Sequence, residues 1–328
     1  MVVVWVNLPP PNCLGNFCGR LIRWPIGLPR FARDTQELLL SSPRMAQRTK
    51  TITLIGAGNL AQALGPALKK AGYRIDVVVG RRHKESHRRA QSLAKALAAK
   101  WCALEAFRPG ADIVWLLHTD DALAQTAESL SRTPGWKGKV VLHSSGALSS
   151  DVLQPLRRAG ASIASLHPMM TFVRGATPDM SQVPFAVEGD RNAVAVAKQI
   201  VSKLGAEAFP IRKSAKVLYH ALGSFSSPLI VATLVTAERV GRAAGLSLPQ
   251  TRKVMAGILK QTLKNYLERG PAEAFSGPIK RGDLDTVRRH LRELGRVANA
   301  TEVYRALVKS AVRDLPAARK EAIVRLLR

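Results

Sequence analysis

The chain has 328 residues, of which 46% are hydrophobic, and a formal net charge of +27. That length accommodates two domains with ordinary cores, and no stretch supplies the roughly 18–20 uninterrupted apolar residues of a membrane span. Three cysteines, Cys13, Cys18 and Cys102, exclude a disulfide framework and suit a reducing cytosol.

The basic excess is spread along the chain, about +3 in residues 1–44, +8 in 45–190 and +16 in 191–328. It forms no long Lys/Arg run with interleaved aromatics, so a basic surface is expected rather than specific nucleic-acid binding.

Residues 1–44 hold Pro9, Pro10, Pro11, Pro25, Pro29 and Pro43 and show neither helical nor strand periodicity. They also lack the early positive charge and apolar core of a secretory signal. Residues 1–47 are therefore expected to be a disordered extension, with Met45 a natural start for the folded region.

From Thr51 the pattern alternates. Strands are predicted at 51–55, 75–79, 112–117, 140–143, 162–166, 185–188 and 207–210. Helices are predicted at 60–71, 86–100, 121–131, 150–158 and 191–204. Strands alternating with helices of about a dozen residues imply a parallel sheet covered on both faces. After residue 212 the strand signal stops, and helices are predicted at 213–244, 249–269, 284–298, 302–311 and 316–327. The expected fold is α/β: a doubly wound parallel Rossmann sheet over 48–212, then an all-α substrate and dimerisation domain over 213–328.

Gly56-Ala57-Gly58-Asn59-Leu60-Ala61 is a GxGxxA motif placed between the first strand and the first helix. Gly56 permits the tight turn, Gly58 admits a pyrophosphate against the backbone, and Ala61 allows close helix–sheet packing. The free N–H groups of the helix start suit the phosphates. NAD-binding chains place a carboxylate at the end of the second strand. Here Arg81 and Arg82 stand there, and guanidinium groups suit a 2′-phosphate, so NADP is expected over NAD.

Ligands in such folds sit beyond the carboxyl ends of the strands. Three polar clusters occupy those ends: His118-Thr119-Asp120-Asp121, His143-Ser144-Ser145-Gly146, and His167-Pro168-Met169-Met170-Thr171-Phe172. From these, His118, Thr119 and Ser144 are candidate cofactor contacts, Ser145 and His167 candidate substrate contacts, and His143 a candidate catalytic residue. Asp121 suits a helix cap.

The segments GAGNLA, HSSGALSSDVL and LHPMMTF, then Lys216-Val217-Leu218-Tyr219-His220-Ala221 and Gly277-Pro278-Ile279-Lys280-Arg281-Gly282-Asp283, occur in this order. Together they resemble the Rossmann-like reductases with a helical C-terminal domain of unknown function, DUF2520. That group lies within the superfamily of 6-phosphogluconate dehydrogenase, pyrroline-5-carboxylate reductase and F420-dependent NADP reductase. The resemblance covers residues 50–328 and implies an NAD(P)-binding domain and a helical domain that often forms a homodimer. Two departures stand out. Relatives usually carry a hydrophobic-Pro-Asp step where this chain has His118-Thr119-Asp120. They also tend to have Ser-Asn where it has Ser227-Pro228, and the proline is expected to kink that helix.

Related dehydrogenases use a helix-borne lysine as acid or base, which makes Lys216 the first catalytic candidate. His220, four residues on and on the same helix face, is the second. Arg281, in a Gly/Pro-rich loop, is a candidate clamp for a substrate carboxylate or phosphate. Asp283 suits the N-cap of the next helix. The expected function is hydride transfer between NADPH and a small carbonyl or imine compound; the rival is a non-catalytic NADP-binding sensor or scaffold.

Overall fold

The computed structural model describes residues 49–81, 84–176 and 178–328. The expected N-terminal extension and Arg82 lie outside them. The alternating region folds as β1 (Thr51–Ile55), α1 (Asn59–Lys70), β2 (Arg74–Gly80), α2 (Lys84–Leu97), β3 (Lys100–Ala103), β4 (Ile113–Leu116), α3 (Asp120–Ser131) and β5 (Val140–His143). It continues through α4 (Gln154–Arg158), β6 (Ser162–Pro168), β7 (Phe185–Gly189), α5 (Arg191–Lys203) and β8 (Ala208–Pro210). The eight strands form one sheet in the order β3-β2-β1-β4-β5-β6-β7-β8.

Alternation along the strands sorts side chains onto two faces. Ile52, Leu54, Val78, Trp115 and Leu142 pack on one side against Leu64 and Leu68 of α1, Leu93 of α2 and Ile200 of α5. Ile55, Val79, Val114, Leu116 and Ile163 pack on the other against Leu123, Ala127 and Leu130 of α3 and Leu156 of α4. Both faces are thus covered, which is the doubly wound arrangement.

Two details depart from the sequence reading. The sheet is mostly rather than wholly parallel, because β6 and β7 run antiparallel. A parallel crossover needs a dozen or more residues, usually a helix. Among the described residues, the link between these two strands holds no regular element but a 3-10 turn, Met180–Gln182. The predicted helix 86–100 also ends early, and Lys100–Ala103 becomes edge strand β3, paired to β2.

Beyond β8 the elements are helical: α6 (Lys216–Ser226), α7 (Pro228–Ala243), α8 (Leu248–Arg269), α9 (Pro271–Ala274), α10 (Gly277–Arg281), α11 (Leu284–Leu294), α12 (Ala300–Asp314) and α13 (Lys320–Leu326). A small core of Val308, Val312, Ile323 and Leu327 ties α12 to α13. The single helix expected over 213–244 is interrupted at Ser227, where φ is −139° and ψ −82°, and Pro228 restarts it. The run Lys213–Ala243 is apolar and long enough to cross a membrane by composition alone. The break leaves helices of 11 and 16 residues, both shorter than the roughly 20 that a span requires.

Leu54 sits fully buried in β1, flanked by β2 and β4. Leu54→Ala is expected to cost about 3 kcal/mol in denaturant unfolding; a loss below about 1 kcal/mol would show that this face is poorly packed.

Candidate functional site

The chain leaves β1 through Gly56, whose φ of +110° is open to glycine and strained for other residues. A Cβ there would lie 2.8 Å from the Leu117 carbonyl oxygen, so the turn is fixed against the end of β4. Gly58 caps α1 without a side-chain hydrogen bond, and the first turn carries no acidic residue. The N-terminal N–H groups and the positive end of the helix dipole therefore face outward uncancelled.

Above this turn lies a cleft of about 530 Å³ lined by Gly56, Ala57, Gly58, Asn59, Leu60, Arg81, His118, Thr119 and Ser144. All of these are among the residues expected from sequence to contact a cofactor. Ala61 does not line the cleft; it is fully buried against the sheet, the packing position that the motif assigns to it. Three lining residues on α2 escaped the sequence reading: Glu85, Ser86 and Arg89. Ser86 Oγ accepts a hydrogen bond from the Arg81 backbone at 3.2 Å, which pins the end of β2 to α2. Arg89 and Ser86 lie three residues apart on one helix face, a signal that becomes legible once the helix start is known.

The cleft has features that fit a dinucleotide. A Cβ on Gly58 would meet only the Leu117 carbonyl, at 3.9 Å, so the protein itself leaves room there for a pyrophosphate. His118 lines the cleft with both ring nitrogens buried and no side-chain partner, a polar group at the place where a ligand would sit. Ser144 Oγ accepts from the Trp115 indole at 2.9 Å and donates to the Leu166 carbonyl at 3.0 Å, which holds its side chain at the cleft wall.

The loop after β5 leads from this cleft toward a second cavity of about 330 Å³. His167, Met169, Met170 and Thr171 line it from the end of β6, and His220, Gly223, Ser224, Ser226, Ser227 and Pro228 from the α6–α7 break. Gly146 makes the meeting possible, since a Cβ there would lie 2.5 Å from His220 Cδ2 and 2.8 Å from His167 Nε2. The two imidazoles stand edge to face, 5.9 Å between centroids. His167 Nδ1 shares a 3.2 Å hydrogen bond with the Tyr219 hydroxyl. Burial pushes Tyr219 up to about 12, so it stays a phenol.

Lys216 lies beneath these loops. Although it shares a helix face with His220, its exposure is reversed from the usual order: the lysine is wholly buried and the histidine exposed. Its Nζ donates to the Ser145 carbonyl at 3.0 Å and to Ser165 Oγ at 2.7 Å. Burial lowers the lysine from its ordinary range, opposed by the charges of Glu188 and Asp120. Glu188 is itself buried and accepts from the backbone N–H and hydroxyl of Ser150, both at 2.7 Å.

His143 is completely buried and accepts the Ser145 N–H on Nδ1 at 3.1 Å. Burial, then the Lys216 charge, pushes it down to about 3. Burial, then Lys216 and His220, pushes His167 down to about 4. Both imidazoles are neutral at physiological pH.

Ser145 is occupied structurally, its hydroxyl accepting from Leu148 N–H at 2.9 Å. It lines neither cavity, and neither does Arg281. The expected loop around Arg281 is helix α10, closed by left-handed Gly282. Asp283 caps α11, accepting from Thr286 N–H at 3.3 Å. Asp121 lies in the first turn of α3, and the Thr119 hydroxyl lowers its carboxyl.

With this geometry in view, residues 39–168 match the model of a Rossmann-like domain and residues 183–311 that of DUF2520, a domain of unknown function. The chain thus carries a Rossmann-like domain followed by a DUF2520 domain. Among solved structures, a Bacteroides fragilis protein assigned as an NADP oxidoreductase is 25% identical, with a TM-score of 0.69 over 80% of this chain and 97% of that one. Two others share the fold. The pyrroline-5-carboxylate reductase of Streptococcus pyogenes is 15% identical, with a TM-score of 0.55 over 80% of this chain and 98% of that one. An imine reductase from Myxococcus stipitatus, solved with NADP+, is 18% identical, with a TM-score of 0.57 over 85% of this chain and 100% of that one. No curated protein matches the chain in sequence.

The neutral histidines make stability depend on pH. Their native pKa values lie below 6.5, so below that pH the unfolded chain binds protons that the native state refuses, and stability falls as pH falls. Between pH 6.5 and 5, above most carboxylate titration, each of the two is expected to cost about 1.5 kcal/mol. Denaturant midpoints across that window check this. His143→Asn removes one contribution and flattens the slope; an equally steep profile in the variant would refute the assignment.

Proposed function

We propose that this protein is an NADP-dependent oxidoreductase that transfers a hydride between NADPH and a small carbonyl or imine compound. The observation that carries this reading is the adjacency of two cavities at the carboxyl edge of the sheet. One is a dinucleotide-sized cleft over the Gly56–Gly58 turn, and the other is walled by His167 and His220. The solved relatives named for NADP chemistry support the choice of cofactor. So do Arg81 and Arg89, two guanidinium groups lining the cleft beside the single carboxylate of Glu85.

When bound, the cofactor supplies a hydride to the electrophilic carbon. The electron pair of the C=O or C=N bond then passes to the heteroatom, which needs a proton. His220 is the proton donor in this reading, because it lines the second cavity and is exposed to solvent that can reprotonate it. His167, neutral and tied to Tyr219, orients it. Lys216 and His143, initially candidates for proton transfer, instead hold the β5 and β6 loops in place. The lining of the second cavity consists of imidazoles, thioethers, hydroxyls and backbone, with neither Lys nor Arg, which suits an uncharged substrate.

A homodimer completes this reading. Helices α6, α7 and α8 expose Leu218, Leu222, Phe225, Ile230, Ile258 and Leu267, with Leu218 at 77% and Phe225 at 70%. Exposed apolar side chains in this number suit an interface, and α6 also supplies His220 and Gly223 to the second cavity.

Purified protein is expected to bind NADPH tightly and to oxidise it in the presence of at least one member of an aldehyde, ketone and cyclic-imine panel. Gly58→Asp is expected to abolish binding without unfolding the protein, and His220→Ala to lower turnover by roughly a hundredfold. Tight binding with no turnover on any class would favour the sensor reading. Light scattering is expected to give a dimer that Leu218→Glu with Phe225→Glu dissociates; a monomeric wild type would refute the interface.

A further inference from the structure

Asn59, the first residue of α1, is held at both ends of its amide. Its Oδ1 accepts from Arg89 Nη2 at 2.8 Å, and its Nδ2 donates to the Phe172 carbonyl at 3.0 Å. Three segments meet there. Arg89 comes from α2 and lines the cofactor cleft. Asn59 lies in the glycine turn itself. Phe172 directly follows Met169, Met170 and Thr171, which wall the second cavity, and its ring packs against the main core.

The approach of α2 is built into the chain. A Cβ on Gly80 would fall 2.7 Å from Ala90 Cβ, so the glycine lets α2 lie close against the end of β2 and bring Arg89 to the cleft. Arg89 is half-buried, and among the described residues no carboxylate forms an ion pair with it. Asn59 takes one of the two Nη2 hydrogens, so a second edge of the guanidinium, which pairs the other Nη2 hydrogen with Nε–H or an Nη1 hydrogen, remains for an anion in the bidentate arrangement that guanidinium offers to phosphate.

Resting on the NADP reading above, we infer that Arg89 reads the 2′-phosphate of the cofactor. Through Asn59, that contact tightens residues 169–172 around the second cavity. Arg89 is then a specificity-determining residue, and Asn59 a positioning residue that couples the two cavities. A phosphate at one end of the clasp stabilises the hydrogen-bonded arrangement at the other, and NADH, lacking that phosphate, does so less. The coupling is reciprocal: a compound that orders residues 169–172 strengthens NADPH binding more than NADH binding.

The test uses the full-length protein and needs no substrate. Dissociation constants for NADPH and NADH are measured for wild type, Arg89→Met and Arg89→Lys. Hydrogen–deuterium exchange of residues 169–173 is followed at saturating NADPH and at saturating NADH, in wild type and in Asn59→Ala. Arg89→Met is expected to reduce the preference for NADPH over NADH by at least about tenfold, with Arg89→Lys intermediate. NADPH is expected to protect residues 169–173 more than NADH does in wild type, and Asn59→Ala is expected to erase that difference, saturation having removed any effect of affinity.

Equal weakening of both nucleotides by Arg89→Met would overturn the specificity role. A difference in protection that survives Asn59→Ala would overturn the coupling. Either result leaves the cofactor assignment standing, whereas a wild type that binds neither nucleotide would overturn both.

Discussion

The ammonium group of Lys216, wholly buried, donates to the Ser145 carbonyl after β5 and the Ser165 hydroxyl in β6. Much of the molecule is arranged around that placement. Removing a charge from water is expensive unless hydrogen bonds replace hydration. The lysine can therefore sit there only if α6 begins where it does and the two strand ends present oxygen atoms toward it. One helical turn later the same face carries His220 against Gly146 and His167. The packing of a single cation thus fixes where the helical half meets the sheet and which side chains line the second cavity.

The same charge acts at a distance on the histidines. His143 and His167 are depressed first by burial and then by Lys216. An imidazole kept neutral can accept a hydrogen bond, as His143 does from the Ser145 N–H, and adds no further cation to a region already holding one. Glu188 counterbalances from the neighbouring strand, anchored by Ser150 rather than by direct contact with the lysine. The result is a polar layer that sets the geometry of the loops, with the exposed His220 above it at the wall of the second cavity.

The Rossmann-like half was legible because its signals are local. The turn at Gly56 requires a positive φ and a close approach to Leu117, and only glycine meets both conditions cheaply. The apolar runs of β1, β4 and β5 announce strands buried on both faces. Edge strand β3 was missed because Lys100 and Trp101 are exposed and the preceding residues keep helical composition. The antiparallel step between β6 and β7 was legible in principle, since no crossover helix is predicted between 166 and 185. Long-range placement was much less legible. Helical spacing put Lys216 and His220 on one face, but burial separates their roles, and burial depends on what packs against α6. Arg281 sits in a motif as suggestive as any other, yet it lines neither cavity. Arg89 owes its place at the cleft to Gly80, which lets α2 lie close against the end of β2, and no local motif announces that approach.

The interruption at Ser227 has a chemical consequence of its own. Proline has no amide hydrogen, so Pro228 cannot return the helical bond to the carbonyl of Ser224, four residues earlier. Ser224 and Pro228 both line the second cavity. The cavity wall is thus built where the helical ladder is interrupted. The residue that breaks the helix thereby also shapes the wall of the second cavity, because the end of one helix and the start of the next meet there at an angle that an unbroken helix could not make.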